Sequence, residues 1–294
     1  MSSLISSTDI QSSIRSLRLC FYGAGSMAEA IVRGLLARGL ADSSLIGMFN
    51  RSNAQRLEEL ESRYNVSVSN VEEEQLDMLQ DADVIFLVMK PKDAAEALRK
   101  LSAFIKPNQL VVSVIAGLSI RTIEQLLEQP QPIVRTMPNT SSTIGLGATG
   151  ISFSQSVNDD QRQIALAMFE AIGMATIVEE SLLDVVTGVS GSGPAYIYYM
   201  MEAMVEAGKQ LGLTPEAARE MTIQTVLGAA HMVKATGETP ADLRRKVTSP
   251  NGTTQAALEV MESYRFSEGV IQAIKRASER AAEMGEEIER SAMK

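Results

Sequence analysis

Between residues 18 and 152, short apolar runs alternate with helical patterns, and this alternation constrains the fold more than any other feature of the chain. LRLCFY is followed by SMAEAIVRGLLARG, SLIGMF by NAQRLEELESRY, ADVIFLVM by PKDAAEALRKLSAF and QLVVSVI by SIRTIEQLL, with PIVRTM closing the series. A parallel strand pair needs a crossover of roughly a dozen residues or more, which a helix supplies. The alternation therefore predicts βαβ units and a largely parallel sheet with helices on both faces. GATGISF adds a last strand or two. After residue 158 the pattern becomes almost wholly helical, with one short ATIV interruption at 175–178 and breaks at SGSGPAY, GLTP, TGETP and SPNGTT. These breaks give about five or six helices, among them one over 194–211 and a terminal one over 266–289. The expected architecture is an α/β domain followed by an all-α domain.

The first strand runs directly into Gly23-Ala24-Gly25-Ser26-Met27-Ala28, which opens a helix. The spacing is G-x-G-x-x-A. In such a turn Gly23 permits the sharp bend, Gly25 lets backbone approach a pyrophosphate, and Ala28 lets helix pack closely on strand, with the phosphates at the helix N-terminus. The string alone is weak, but between a strand and a helix at the head of a βαβ run it predicts a Rossmann-type dinucleotide-binding domain, here over 17–157. An NAD-preferring site places Asp or Glu about 20 residues further on, against the ribose 2′-hydroxyl. This chain instead has Phe49-Asn50-Arg51-Ser52. A cation with two hydrogen-bonding neighbours suits a 2′-phosphate, so NADPH is preferred and NADH can also serve. The alternative is that Ser52 or Asn53 caps the next helix and Arg51 is solvated. Val88-Met89-Lys90-Pro91 and Ser113-Val114-Ile115-Ala116-Gly117 end two further strands, at the carboxyl edge where open α/β sheets bind ligands. Lys90 reads equally as a cofactor contact or a charged loop residue.

Composition narrows the partners. A net charge of −9 argues against nucleic acid, whose phosphates demand clustered Lys and Arg. The single cysteine, Cys20, rules out an intrachain disulfide framework or thiolate zinc site and fits a reducing cytoplasm. No metal site is expected. No apolar run reaches the roughly 20 residues that cross a bilayer, and the Ser-rich start, residues 1–16, lacks a signal-peptide core and reads as a flexible extension. The only histidine, His231, lies in a helical pattern and is read as structural, which disfavours chemistry built on a His general acid. The 158–294 segment, rich in Met and Ala and poor in aromatics, is expected to finish burying itself against a second subunit.

Three further stretches, RTMPN (135–139), VSGSGPAY (189–196) and VTSPNGTT (247–254), join the glycine turn and the Lys90-Pro91 dipeptide in a pattern that closely resembles pyrroline-5-carboxylate reductases, over about residues 17–284. The SGSGPAY and SPNGTT pair is far more specific than a Rossmann glycine turn. The resemblance implies NAD(P)H-dependent reduction of a cyclic imine, 1-pyrroline-5-carboxylate, to L-proline. It also implies a helical C-terminal domain, 158–294, that binds substrate and interlocks with its partner in a homodimer or larger homo-oligomer. By position, Ser249, Gly252, Thr253, Thr254 and Glu180 inherit substrate binding, with Thr254 the hydroxyl aimed at the ring nitrogen and the catalytic candidate. Asn70, Lys90 and Val114, Ile115 and Ala116 match cofactor contacts.

Such a reaction explains what the chain lacks. A protonated imine needs only a hydride at carbon, so orientation outweighs acid catalysis. The exposed amides of a helix N-terminus at Gly252 to Thr254 can hold the substrate carboxylate without a charged side chain. The plainer reading is that Thr253 or Thr254 caps the helix. Asn251 stands where the family commonly has glycine; Asn tolerates positive φ best among other residues, so the turn is expected to persist. Two alternatives remain at this point. A β-hydroxyacid-type dehydrogenase would carry a lysine on the first long helix of its second domain, where this chain has none before Lys209. A non-catalytic, regulatory paralogue would have lost the cofactor glycines or the Thr253-Thr254 pair.

Overall fold

The apolar runs pair side by side as the alternation predicts. The structure, a computed structural model, describes residues 7–51 and 53–292. Its sheet comprises β1 (Leu19–Tyr22), β2 (Ile46–Phe49), β3 (Ser67–Ser69), β4 (Val84–Leu87), β5 (Leu110–Ser113), β6 (Ile133–Met137), β7 (Gly147–Phe153) and β8 (Gly173–Ile177), in the order β3-β2-β1-β4-β5-β6-β7-β8. The first six strands are parallel; β7 runs antiparallel to β6, and β8 pairs parallel with β7. The order reverses between β1 and β4, which opens a crevice at their carboxyl ends.

Residues along each strand alternate between faces and build two cores. Leu19, Phe21, Met48, Val84, Phe86 and Val112 face one layer, formed by α1 (Ser7–Arg15), α2 (Ser26–Ala37), α3 (Ala54–Tyr64) and later α7 (Asp159–Glu170). Phe21 and Phe86 stack there with ring centroids 4.4 Å apart. Cys20, Ile85, Leu87, Val111 and Ile133 face the other, formed by α4 (Glu72–Asp81), α5 (Ala94–Ser102) and α6 (Ile120–Leu127). The Cys20 thiol is buried, and loss of solvation pushes its pKa up to about 12. We expect no reaction with a thiol reagent at pH 8 in the native protein and one equivalent of label on denaturation; rapid native labelling would contradict this packing.

Three expectations change. The Ser-rich start, expected to be flexible, is helical over Ser7–Arg15, because Ile14 is wholly buried and Ile10 packs against the same core. The ATIV interruption is the edge strand β8. Two compact units are present, one reaching to Gly191 and including Arg276 onward, the other Ser192–Lys275, so the helical composition that begins at 158 does not coincide with their division. Residues 158–191 stay with the sheet because β8 extends it and Ala165, Met168 and Phe169 of α7 fill its core. A short helix, α8 (Leu183–Val186), leads into a π-helical turn, Thr187–Gly191, at the unit's end.

The second unit holds α9 (Gly193–Gln210), α10 (Pro215–Thr236), α11 (Pro240–Lys246), α12 (Thr253–Ser263) and the start of α13 (Phe266–Ala292), whose last part belongs to the first unit. The GLTP and TGETP breaks are helix starts: Thr214 accepts from Ala217 N–H at 3.2 Å and Thr239 from Asp242 N–H at 3.1 Å, each with Pro in the first turn. Within this unit α9, α11 and α12 bury no residue, while Leu211, Tyr264 and Tyr199 are exposed. Such helices lack a core of their own and call for apolar surface from elsewhere. Among the described residues no helix is long and apolar enough to cross a membrane.

Candidate functional site

The glycine turn crosses the carboxyl end of β1. Gly23 has φ +115, and a Cβ there would lie 2.2 Å from the Val88 carbonyl oxygen and 2.7 Å from its carbon, so only glycine fits. Its N–H donates to Phe49 O at 3.0 Å, tying the turn to β2. Gly25 differs: φ is −79, and a Cβ would meet nothing within 4 Å. It is the N-cap of α2 with no side-chain cap, and the space a Cβ would enter there is open, which leaves room for a pyrophosphate at the first-turn amides. Ser26 is exposed, Met27 packs at the core margin, and Ala24 and Ala28 are buried. The cradle fits a dinucleotide.

The same turn is braced by residues that the sequence reading passes over. Arg56 of α3 donates from Nε to Ala24 O at 3.4 Å and pairs with Glu29, the acidic residue in the first turn of α2. Arg63 (2.7 Å) and the Tyr64 hydroxyl (2.8 Å) also donate to Glu29. Burial raises the Glu29 carboxyl, but hydrogen bonds from Arg56 and Tyr64 and the charges of Arg56 and Arg63 outweigh it and hold the pKa below its ordinary value. A carboxylate kept ionised beside the glycine turn is neutralised by these two cations. The i, i+7 spacing of Arg56 and Arg63 on one helix face is the signal that was available.

At the end of β2, Asn50 closes the turn onto Asn53: its Oδ1 accepts from Asn53 N–H at 2.9 Å and its Nδ2 donates to Asn53 O at 3.1 Å. Asn53 caps α3, accepting from Arg56 N–H at 3.0 Å. Arg51 is exposed and lies 3.6 Å from both Asp93 and Glu96. Ser52 lies outside the described residues. Asn70 is exposed just past β3, also at the carboxyl edge.

Val88, Met89, Lys90 and Pro91 leave β4 at this edge, with Lys90 exposed as the N-cap of a 3-10 turn. Val114, Ile115 and Ala116 leave β5; Ile115 is buried and the other two are half-buried. Gly117 then takes φ +76, and its backbone meets Gly285 of α13, where a Cβ would stand 2.6 Å from Gly117 O. Ile288 packs into the adjoining core, and Arg99 donates to the last carbonyls of α13, Ser291 O at 3.3 Å and Ala292 O at 2.7 Å. Glu180 has partners within this unit: its Oε1 accepts from Ile120 N–H, the first amide of α6, at 2.7 Å and from Arg135 at 3.2 Å. Arg135 is buried and also reaches Asp184 at 3.1 Å. A cation amid the apolar run PIVRTM was the available signal, since a buried charge requires partners. Asn139 of RTMPN donates to Ser190 O at 3.0 Å and accepts from Ala148 N–H at 3.3 Å, which links that motif to VSGSGPAY.

The VTSPNGTT loop belongs to the second unit. Asn251 has φ +59, the left-handed conformation expected of it, and its N–H is bonded by Gln255 Oε1 at 2.9 Å. The Gly252 N–H donates to Ser249 O at 3.0 Å, closing the turn. Gly252 is the N-cap of α12, no side chain caps the helix, and Thr253 and Thr254 are its first helical residues. The plainer reading of these threonines as caps therefore fails. Ser249 and Thr253 are exposed and Thr254 is half-buried. His231 is exposed on α10, and Lys209 is in the last turn of α9, bonded to Glu206 at 2.7 Å.

Comparison with known proteins matches residues 180–284 to the family model "Pyrroline-5-carboxylate reductase dimerisation" and residues 18–117 to "NADP oxidoreductase coenzyme F420-dependent". Pyrroline-5-carboxylate reductase 1 of Bacillus subtilis is 43% identical over 275 residues, covering 94% of this chain and 92% of that protein. The solved structure of a pyrroline-5-carboxylate reductase from Coxiella burnetii superposes with a TM-score of 0.83 at 38% identity, covering 92% of this chain and 98% of that one. Plasmodium falciparum pyrroline carboxylate reductase with NADP bound gives a TM-score of 0.83 at 26% identity, over 92% and 99% of the two chains.

Proposed function

Because this chain belongs to the pyrroline-5-carboxylate reductase family, we infer that it is an oxidoreductase that reduces 1-pyrroline-5-carboxylate to L-proline with a nicotinamide cofactor, the last step of proline biosynthesis. The observation that carries the reading is identity of 43% across 94% of the chain, in which both the uncapped glycine cradle and the uncapped SPNGTT helix start are intact.

The bound nicotinamide supplies the hydride. The chain's residues bind and orient. Gly23 to Ala28 and the free amides of α2 hold the pyrophosphate, with Val88 to Pro91, Asn70 and Val114 to Ala116 along the crevice edge. Arg51, with Asn50 and Ser52, receives the 2′-phosphate, which favours NADPH over NADH. Gly252 to Thr254 present the amides of α12 to the substrate carboxylate, Ser249 holds the loop closed, and the Thr254 hydroxyl hydrogen-bonds the ring nitrogen as its charge changes. By position Glu180 is assigned to substrate binding as well; its Oε1 accepts from Arg135 and from the first amide of α6. The position of Lys209 in the last turn of α9, already engaged by Glu206, weighs against the dehydrogenase alternative.

The match to a dimerisation model supports homo-oligomerisation, and the coreless helices of the second unit are the surface we assign to it. A cytoplasmic location agrees with the buried, unpaired Cys20. Steady-state oxidation of NADPH and NADH with 1-pyrroline-5-carboxylate tests the reading. Turnover is expected with both and faster with NADPH at limiting cofactor. No turnover with either cofactor would overturn the activity; equal use of both would overturn the role of Arg51.

A further inference from the structure

Arg51 does not stand alone at the adenosine end of the crevice. Its guanidinium lies 3.6 Å from Asp93, in the turn that follows Lys90-Pro91, and 3.6 Å from Glu96 in the first turn of α5. Glu96 is shared with Lys100 at 3.7 Å. Tyr22, at the end of β1, senses the same group of charges: burial raises its phenol pKa, Arg51 lowers it, and Glu96 and Glu72 raise it further. One cation therefore faces two carboxylates beside it, supplied by the β4–α5 connection and the first turn of α5 and not by the end of β2, where a carboxylate that selects NAD would stand.

We infer that Asp93 and Glu96 are specificity-determining residues: by occupying Arg51 and repelling a 2′-phosphate they weaken NADPH binding relative to NADH. Discrimination between the cofactors is then set by the balance of the three side chains, an inference that rests on the reading of Arg51 as the phosphate contact. A phosphate monoester carries about −1.5 to −2 charge at pH 7, whereas the ribose hydroxyl of NADH is neutral. Any oxyanion on the Arg51 guanidinium lies within about 7 Å of both carboxylates. At that range, screened by solvent and salt, each costs roughly twofold in affinity and the pair about fourfold. All three side chains are at the surface, so substitution does not disturb the core.

The test is direct binding of NADPH and NADH by fluorescence titration, together with steady-state kinetics, on wild type, Glu96→Gln, Asp93→Asn/Glu96→Gln and Arg51→Ala, each at low and high salt. The double variant is expected to tighten NADPH binding about fourfold and to raise kcat/KM for NADPH to match through KM, less at high salt, with NADH changed by less than about twofold. Arg51→Ala is expected to weaken NADPH use alone. If Arg51→Ala does so but the double variant leaves the NADPH to NADH ratio unmoved, the inference is overturned and the reading of Arg51 stands. If Arg51→Ala affects neither cofactor selectively, both fall.

Discussion

Gly23→Ala is expected to abolish tight NADPH binding and to lower the melting temperature, whereas Gly25→Ala should weaken binding with the fold untouched. The two glycines serve different needs. At Gly23 a methyl would lie 2.2 Å from Val88 O on a backbone at φ +115, so turn and β4 must move apart. Strain and overpacking of this kind together cost about 3 kcal/mol, roughly 10 °C for a unit of this size. The displaced amides of α2 no longer converge, and a fall in NADPH affinity of about 100-fold or more follows. At Gly25 the methyl meets no protein atom within 4 Å. It enters only the open space we assign to the cofactor, and a loss of about tenfold or more at unchanged melting temperature is expected. Thermal melting without cofactor and NADPH fluorescence titration separate these outcomes. Gly23→Ala binding NADPH as wild type does would show that this turn does not hold the pyrophosphate.

Thr254→Val should reduce kcat/KM by about 100-fold, or about 2.7 kcal/mol of transition-state stabilisation, with the melting temperature shifted by no more than about 2 °C. Valine keeps the shape and removes only the hydroxyl. Because Gly252 is the N-cap and no side chain caps α12, that hydroxyl does not hold up the helix start. A capping role would produce the reverse pattern, a lower melting temperature with intact kinetics. Kinetics at saturating NADPH with varied imine, together with thermal melting, decide between them. Retention of full kcat/KM would remove Thr254 from the chemistry.

Much of this was legible in the residues. Short apolar runs alternating with helical patterns predicted a parallel sheet, and Gly23 and Gly25 marked the turn at the carboxyl end of its first strand. Asn251 was expected to take a left-handed conformation and does so at φ +59. The edge strand β8 was not legible, because ATIV is too short to declare itself and exists through pairing with β7. Glu180 was read by position as a substrate residue, while its partners, Arg135 and the first amide of α6, are 45 and 60 residues away in the chain. Local pattern carries no information about such pairs.

The sequence by itself determined the alternation of segments, the turn chemistry at Gly23 to Ala28 and at SPNGTT, and the family, because these are carried by short motifs of residues adjacent in the chain. Only the tertiary structure decided where the charged side chains go. Arg51 lies between Asp93 and Glu96, Arg56 and Arg63 converge on Glu29, and α13 returns to set Gly285 on Gly117. The physical reason is that ion pairs and backbone contacts fall off over a few ångströms in space, whatever the separation in sequence, so their partners are chosen by packing.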